Sequence, residues 1–340
     1  MSGHLVFERP GLFSSLQDFG RFGYQRFGIS ASGAMDTVAM RAANALIGNA
    51  PETAVVEITL VGPAFTVAAE RCRIALAGAD FPLSVNGRPA EGWRAHALAA
   101  GDRVEIGGAR AGMRACLAVA GGFAVAPTLG SLSTHSRSGI GGFQGRALQS
   151  GDRLPLAGAP PGPLLALAAE HQPRHDGPIR VVLGPQDDFF TAAGIASFLS
   201  ADYRMTDRTD RMGAQLDGPP IEHAKGFNIV SDGIMNGSIQ VPGNGRPLVL
   251  LADRQTTGGY PKIATVIAAD LPRLAQRRPG EAIRFERVTV DEAEAAARAH
   301  RAAIAAMLQD LRDAAGTAMD LTAERLLALN VVGGVCSAFD

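Results

Sequence analysis

Cysteine is scarce in this chain, and the few cysteines are scattered. Cys72, Cys116 and Cys336 lie far apart and form no Cys-x-x-Cys pair. An odd and sparse set of thiols argues against a disulfide framework and is typical of a reducing compartment. No run of about 18 apolar residues occurs, which a membrane-spanning helix would need. Since the first residues also lack a signal-peptide pattern, we expect a cytoplasmic protein.

An excess of charge of either sign is lacking as well. Lysine and arginine number 32 against 33 aspartate and glutamate, and the formal net charge is −1. The basic residues form no long block, whereas a general nucleic-acid binder presents a basic face. We therefore expect neither a nucleic-acid partner nor a membrane partner.

Motifs for metal and nucleotide binding are missing. Among the seven histidines, His171 and His175 are four apart, but Pro173 breaks the helix that would align them. No Gly-x-x-x-x-Gly-Lys-Ser/Thr sequence occurs, and the glycines of residues 139–145 miss the dinucleotide-binding spacing. We expect no metal site and no ATP site built on a phosphate-binding loop.

Glycine and proline, in contrast, are abundant, at 41 and 20 residues. They separate short apolar segments, which is the pattern of many strands joined by turns. Gly101, Gly151 and Gly280 are each followed by an acidic residue and then by such a segment. The pattern predicts a mainly β, α+β fold with few helices. The predicted strands are Val55–Val67, Arg73–Ala77, Arg103–Ile106, Arg114–Ala120, Ile179–Leu183, Leu248–Ala252 and Ala282–Val288.

Three segments have the composition of helices. Asp36 can cap a helix over Thr37–Ile47. Asp187–Leu199 is the second predicted helix, and the alanine-rich, charged segment Val290–Ala314 is the third and longest. The apolar tail Met319–Asp340 is expected to pack on the core or on a partner.

The stretch between Pro160 and Pro178 is rich in proline and glycine and predicts a boundary between two lobes. We expect a first lobe over residues 1–158, a linker over 159–177, a second lobe over 178–290, and a C-terminal helix and tail over 291–340.

Two polar, glycine-rich clusters interrupt the apolar sequence, and the first begins at Gln17. Asp18 and Arg21 lie three apart, on either side of Gly20. Arg21 is a candidate to hold a substrate carboxylate, oriented by Asp18 or Gln17. The alternative is a structural Asp18–Arg21 ion pair that fixes the loop.

Further segments suit an anion or a carbonyl group. Ser131 and Thr134 belong to a hydroxyl-rich stretch that could bind such a group. Gly141 and Gly142 belong to a loop whose amides could approach an oxyanion, or which is only a mobile surface loop. Arg211 lies in an alternating acid–base stretch, residues 207–213, which could bind an anion or form a solvated ion-pair network.

The second cluster directly follows an apolar strand and is the preferred candidate site. A strand end that opens into a polar glycine loop is a common place to hold a substrate. Gln240, just upstream, is expected to form an opposing wall. We predict catalytic roles for Asp253, Gln255, Tyr260 and Lys262 and substrate contacts for Thr256 and Thr257. The alternative is a tight turn with Lys262 in solvent.

Several of these motifs, taken in order, resemble the allophanate hydrolase subunit 2 family of biotin-dependent carboxyltransferase proteins. The resemblance runs from about Gly11 to Val288. It implies two cyclophilin-like β-barrel lobes. The motifs that carry it are Gln17-Asp18-x-Gly20-Arg21, Ser32-Gly33-Ala34-Met35-Asp36, Asn44-x-x-x-Gly48-Asn49, Gly121-Gly122, Gly130-Ser131-x-Ser133-Thr134, Gly141-Gly142-x-x-Gly145-Arg146, Asp210-Arg211-Met212-Gly213, Gln240-Val241-Pro242 and the run from Gln255 to Pro261.

For a free-standing chain of this length, the resemblance implies one subunit of an ATP-dependent 5-oxoprolinase that opens 5-oxoproline to glutamate together with A and B subunits. The substrate carboxylate would then rest on Arg21 or Arg211, and the Gln255–Lys262 loop would assist the attack of water. The family also implies two alternatives. One is a carboxyltransferase that uses biotin and a urea- or allophanate-like amide, and the other is a non-enzymatic regulator that binds a kinase-inhibitor protein.

Overall fold

The computed structural model of the chain describes residues 3–314, which are mainly β-strands, as predicted. The first strands are β1 (His4–Arg9), β2 (Phe13–Gln17), β3 (Val55–Thr59), β4 (Ala64–Ala68), β5 (Arg71–Asp80), β6 (Leu83–Val85), β7 (Arg88–Ala90), β8 (Ala95–Ala99), β9 (Arg103–Ile106), β10 (Ala111–Val119), β11 (Arg153–Pro155) and β12 (Leu165–Ala166). The later strands are β13 (Ile179–Leu183), β14 (Tyr203–Thr209), β15 (Gly213–Asp217), β16 (Asp232–Gly233), β17 (Ser238–Gln240), β18 (Leu248–Leu250), β19 (Thr257–Gly258), β20 (Lys262–Val266), β21 (Ala282–Ile283), β22 (Phe285–Arg287) and β23 (Arg312–Asp313). The α-helices are α1 (Thr37–Leu46), α2 (Ala192–Ser200), α3 (Leu271–Ala275) and α4 (Val290–Gln309).

The first lobe, β1–β11 with α1, consists of two antiparallel sheets that face each other. Their strand orders are β11-β1-β4-β9-β6-β7 and β2-β3-β10-β5-β8. Alternate side chains of each strand point inward, so Phe7 and Phe65 of one sheet meet Val56 and Leu117 of the other in one buried core.

The outer face of the five-stranded sheet carries small side chains. Ala75, Ala77 and Ala118 are buried there under α1. Their size lets the helix lie close to the sheet. Met307 of α4 joins the same cluster, so the chain returns to the first lobe after it has built the second.

The second lobe, β13–β22 with α2 and α3, has an eight-stranded sheet in the order β21-β14-β15-β18-β17-β20-β13-β22. Its two edge strands, β21 and β22, are separated in sequence by Arg284 alone. The sheet must therefore curl until its edges almost meet, which gives a nearly closed barrel. Met35 of the first lobe is buried in this second core.

The predicted helices are largely present, with corrected bounds. Asp36 caps α1 by accepting from the amides of Val38 and Ala39. The predicted Asp187–Leu199 helix is instead a short 3₁₀ turn followed by α2, because the Thr191 side chain caps a new helix on the amide of Gly194, at 2.9 Å. The third helix ends at Gln309 rather than Ala314.

Two predicted strands are each divided in two. Ala282–Val288 is interrupted at Arg284 and forms β21 and β22, which lie at opposite edges of the sheet. Val55–Val67 is two strands, β3 and β4, because Leu60 adopts a left-handed backbone, φ 57°, and the chain turns before Ala64. The lobe boundaries at 158 and 178 stay predictions. The tail Met319–Asp340 lies outside the described residues, as does Cys336.

Cys72 and Cys116 are free and buried. Burial raises the pKa of the Cys72 thiol to about 12 and the pKa of Cys116 well above its ordinary value, so both behave as small apolar side chains. Between residues 3 and 314, no helix combines the length and the apolar character that a membrane crossing requires.

Candidate functional site

A cleft lies between the two lobes, and both contribute to its walls. It consists of two adjoining hollows of 330 and 450 Å³, which share Arg137, Asp207 and Asp210. Gln255 lines the larger hollow, and Arg211 and Asp253 line the smaller one. Of the predicted site residues, these three are the ones that reach the cleft.

Arg211 is the central cation at the base of the cleft. Its guanidinium donates to both carboxylate oxygens of Asp253, at 2.9 and 3.0 Å, to Glu57 of β3, and to the carbonyl of Gly33 at 2.6 Å. All three charged side chains are buried. Burial alone would lower the pKa of Arg211, but the charges of Asp253 and Glu57 raise it above its ordinary value. Arg211 therefore has no free donor edge for a substrate carboxylate.

A second buried network joins the lobes beside the first. The Gln276 side chain, at the end of α3, donates to Asp36 at 2.6 Å and to the Arg114 carbonyl at 2.8 Å. Its carbonyl oxygen accepts from the amides of Met113 and Arg114, at 2.9 and 3.0 Å. Burial lowers the pKa of Arg114 to about 10. The side-chain amide of Gln276 thus forms all of its hydrogen bonds with the first lobe, and these bonds hold the two lobes together.

The Asp18 carboxylate is occupied by the first lobe itself. It accepts from the hydroxyls of Ser131 and Ser133, at 2.6 and 2.5 Å, and from the amides of Gly20 and Leu132, at 2.8 and 2.6 Å. Among the described residues Asp18 forms no hydrogen bond to Arg21, so the alternative of a structural Asp18–Arg21 pair is not realised. Asp18 and Ser131 instead connect two distant loops.

Arg21 is enclosed and incompletely paired. Its Nη2 donates to the Ser133 carbonyl, whereas Nε and Nη1 have no partner within residues 3–314. Burial lowers the pKa of Arg21, although the charges of Asp18 and Asp253 oppose that effect. Unpaired donors on a buried cation are costly, and these two groups are free to donate to an anion.

Other unpaired polar atoms lie in the same part of the chain. The side-chain oxygens of Gln17 and Ser32 are buried and have no partner among the described residues. The amide nitrogen of Gln17 donates to Ser15 and to the carbonyl of Thr134, at 2.9 and 3.1 Å. This concentration distinguishes the Gln17–Ser32 region from the rest of the structure.

Gly141 and Gly142 pack directly on this region. Both have left-handed backbones, φ 70° and 57°. A Cβ on Gly141 would overlap Arg21 Nη2 and the Ser133 carbonyl, and one on Gly142 would overlap Thr134 Oγ1. At these two glycines the loop therefore packs directly against Arg21 and Thr134.

The Asp253–Lys262 run does not form a single site. Asp253 points into the cleft toward Arg211, whereas Lys262 is buried on β20 and donates to Asp232 at 2.7 Å and to the Gly233 carbonyl at 3.1 Å. The contact with Lys262 lowers the pKa of Asp232. Lys262 is thus not in solvent, and it lies in a salt bridge rather than in the cleft.

The remaining residues of the run lie around β19. Thr257 pairs with Gly233 in the short β16–β19 ladder, and the Thr256 carbonyl accepts from the amide of Ile234. Tyr260 is 41% exposed, and its carbonyl accepts from Gln240 at 3.4 Å. Gln240 thus contacts this loop, and its predicted role as a wall of the substrate site stays a prediction.

Contacts to backbone carbonyls connect the two clusters. His135 Nε2 lies 3.2 Å from the Asp253 carbonyl, and the Ser30 hydroxyl donates to the Arg254 carbonyl. The predicted site residues therefore form a first-lobe group around Arg21, a second-lobe group around Lys262, and the Arg211–Asp253 pair between them.

Three residues of the buried networks escaped prediction: Glu57, Arg114 and Gln276. Glu57 is the one charged residue of β3, whose other four residues are apolar or carry a hydroxyl. That charge was the only sequence signal of a buried partner. No grouping of histidine, cysteine, aspartate or glutamate suited to a metal ion occurs within residues 3–314.

Comparison with known proteins gives consistent relatives. The family model described as carboxyltransferase domain, subdomain A and B, matches residues 27–287. The chain is 38% identical to the C subunit of 5-oxoprolinase from Escherichia coli (strain K12), over 84% of this chain and 91% of that protein. It is 37% identical to the C subunit of 5-oxoprolinase from Haemophilus influenzae, over 82% and 90%.

Among solved structures, the crystal structure of the K. lactis urea amidolyase is similar to this chain with a TM-score of 0.83 and 28% sequence identity. The match covers 89% of this chain but 20% of the amidolyase chain. The similarity thus extends over nearly the whole of the present fold and over one part of a much longer protein.

Proposed function

Because the chain belongs to the carboxyltransferase-domain family with subdomains A and B, we propose that it is the C subunit of an ATP-dependent 5-oxoprolinase, which opens 5-oxoproline to glutamate. The observation that carries this proposal is the correspondence of lengths. The two 5-oxoprolinase subunits match over about nine-tenths of their own sequences, at 91% and 90%. A relative of equal extent is better support for a shared role than a fragment of a longer protein.

The proposed substrate carries one carboxylate and one cyclic amide, and Arg21 suits the carboxylate. Of the two arginines that the sequence suggested, Arg211 is fully paired, whereas Arg21 keeps two donor groups without a partner among the described residues. Because these donors are enclosed, a substrate reaches them only if a neighbouring segment moves, and in this proposal that segment is the loop between Arg21 and Ala31. Gly23 and Gly28 of that loop have positive φ and no neighbouring atoms at the Cβ position.

The cyclic amide must be activated before water can open it, and ATP would supply that activation by phosphorylating the amide oxygen. Gln255 is the exposed carboxamide in the cleft, suited to donate a hydrogen bond to an oxyanion. Lys262 and Asp232 would shape the neighbouring loop. In this proposal ATP is used by the assembled enzyme and is not bound by a phosphate-binding loop on this chain.

The A and B subunits are the proposed partners, and apolar side chains exposed near the site loops support such docking. Phe22 and Phe27 are 71% and 64% exposed, and Val230 and Met235 are 92% and 69% exposed. Contiguous exposed apolar patches are typical of protein–protein contacts, and in this proposal these side chains belong to such patches. Val230→Asp should weaken assembly, measured by co-purification, without lowering the melting temperature of the isolated chain.

The deciding experiment measures glutamate release from 5-oxoproline, with and without ATP, for this chain alone and mixed with the A and B subunits from the same genome. ATP-dependent glutamate in the mixture only is the expected result. A stable assembly of all three chains that releases no glutamate would contradict the proposal.

Within that assay, Arg21→Gln tests the carboxylate contact. Loss of a charge-assisted contact of about 1.5–3 kcal/mol should lower kcat/KM by about 10- to 100-fold. The matched control is Arg284→Gln, which removes an exposed pair with Asp202. Equal activity in both variants would show that Arg21 does not hold the substrate.

The second candidate is a carboxyltransferase-type subunit that uses biotin and a urea- or allophanate-like amide. The TM-score of 0.83 to the K. lactis urea amidolyase favours it. Carboxylation of urea in the presence of a carboxybiotin carrier, in a mixture that makes no glutamate from 5-oxoproline, would support this alternative instead.

A further inference from the structure

A separate groove lies where α4 crosses the chain that joins the lobes. Its volume is 410 Å³. One wall is the alanine face of α4, with Ala299 and Ala303, and the opposite wall holds Arg174 and His175. None of the residues assigned above to the cleft, to Arg21 or to Lys262 lines this groove.

The charged side chains in the groove are mostly cationic. Arg180, Arg273 and Arg174 line it together with one carboxylate, Asp270. Asp270 is fully buried and already shared: Arg180 binds both of its oxygens, at 2.7 and 3.0 Å, and Arg273 lies 3.1 Å from one of them. Within residues 3–314, the Arg174 guanidinium has no hydrogen-bond or ion-pair partner. The groove therefore holds positive charge that its own carboxylate does not compensate.

Two imidazoles in the groove lack hydrogen-bond partners within the described part of the chain. His175 Nδ1 is buried and unpaired there, and the His300 ring of α4 makes no hydrogen bond to any described residue. A buried ring nitrogen without a partner is costly. A ligand that accepts a hydrogen bond from His175 would remove that cost.

We propose that this groove binds a small organic carboxylate, with its carboxylate on Arg174 and His175 and its carbon skeleton on the alanine face of α4. A carboxylate matches the planar fork of one free guanidinium. The apolar α4 wall suits a hydrocarbon part that inorganic phosphate lacks. The site is distinct from the proposed 5-oxoprolinase site and does not depend on that function.

Binding should take up a proton. Burial lowers the pKa of His175 in the empty groove; the charges of Asp36 and Asp176 act against this effect and those of Arg273 and Arg277 add to it. Burial also lowers the pKa of His300. A bound carboxylate favours the imidazolium and raises the His175 pKa. The affinity for the anion therefore rises as the pH falls through the raised His175 pKa of the complex. It levels off below the lower pKa that His175 has without the ligand.

Calorimetric titration of the full chain tests the proposal, with succinate as the carboxylate probe and inorganic phosphate as the comparison. Succinate should bind with a single saturable isotherm, more tightly than phosphate, and about fivefold more tightly at pH 6.5 than at pH 8.5. In His175→Gln most of this pH dependence should be lost, and the part that stays would come from His300 and His171, which also line the groove.

Matched variants locate the site. Arg174→Gln and Ala299→Trp should each weaken succinate binding by about tenfold or more. Arg301→Gln and Ala302→Trp, on the exposed face of the same helix and outside the groove, should leave it unchanged. Since Arg174 is exposed, its variant keeps the test valid if Ala299→Trp folds poorly. Absence of succinate binding, equal binding in all four variants, or phosphate binding as tight as succinate would each overturn the proposal.

Discussion

Gly141 and Gly142 show how single residues shape the first-lobe cluster. Their backbones run so close to the Ser133 carbonyl and Thr134 that no side chain fits between them. The same approach covers one side of the Arg21 guanidinium. The absence of a side chain at Gly141 therefore leaves space for the Arg21 guanidinium, in addition to allowing the turn.

Gly141→Ala should destabilise the protein by about 3 kcal/mol, because the added methyl combines left-handed strain with backbone overlap. Gly139→Ala is the matched control: its φ is also positive, at 64°, but nothing lies near its Cβ position, so only strain of about 1–2 kcal/mol applies. Urea unfolding of both variants provides the comparison. Equal losses would mean that the loop relaxes away from Arg21.

The sequence pointed to Asp18, Arg21 and Arg211 individually but not to the residues that bind them, and it missed Glu57 altogether. Asp18 and Arg21 are neighbours in sequence, yet Asp18 binds Ser131 and Ser133, which lie 113 and 115 residues away. Glu57 and Arg211 are 154 residues apart. The first contacts depend on how distant loops of one lobe come together and the second on how the two lobes meet, and local patterns encode neither.

Among the elements, the turn that leads into α3 is held in place by one carboxylate, that of Asp270. Asp270 accepts from the amide and the guanidinium of Arg180 on β13, so it ties the helix corner to the barrel. Burial on its own would raise the pKa of Asp270, but the hydrogen bonds from Arg180 outweigh it and hold the pKa below its ordinary value.

Asp270→Asn should therefore cost stability in a pH-dependent manner. Because the folded pKa is lowered, the carboxylate contributes fully above about pH 5 and its contribution is lost as the pH falls through the folded value. The difference in unfolding free energy between wild type and variant should be about 2 kcal/mol at pH 7 and should shrink toward acid pH. Asp217→Asn, which removes an exposed pair with Arg246, should show a small and constant difference. A pH-independent effect of Asp270→Asn would contradict the stated cause.

Elements with strong local signals were predicted well. The Asp36 cap and the alanine-rich composition located α1 and α4 to within a few residues of their true ends. The break between Phe189 and Ala192 was missed because the Thr191 cap lies inside an apolar stretch. The barrel closure through Arg284 has no local signal, since it results from the curl of the whole sheet.

At the scale of the molecule, the lobes share buried polar groups and one core side chain. Gln276 alone makes four hydrogen bonds across the boundary. Breaking the contact between the lobes would leave all of these groups unpaired, so the two lobes should unfold together.

The single tryptophan, Trp93, is buried in the first lobe and can report on this coupling. Its fluorescence and far-UV circular dichroism should follow one denaturation curve. Gln276→Leu, in the second lobe, should shift both signals equally, by about 3 kcal/mol, because buried partners lose their bonds. Two separate transitions, or a tryptophan signal that does not move, would show that the lobes are independent.

The position of Met35 also sets an order of events during synthesis. It leaves the ribosome early, but the core that buries it is completed by strands as late as β22. The Met307 side chain, which covers α1, emerges later still. The nascent first lobe therefore waits with an uncovered apolar surface until almost the entire described chain has been translated, and truncated products should be captured by chaperones or degraded.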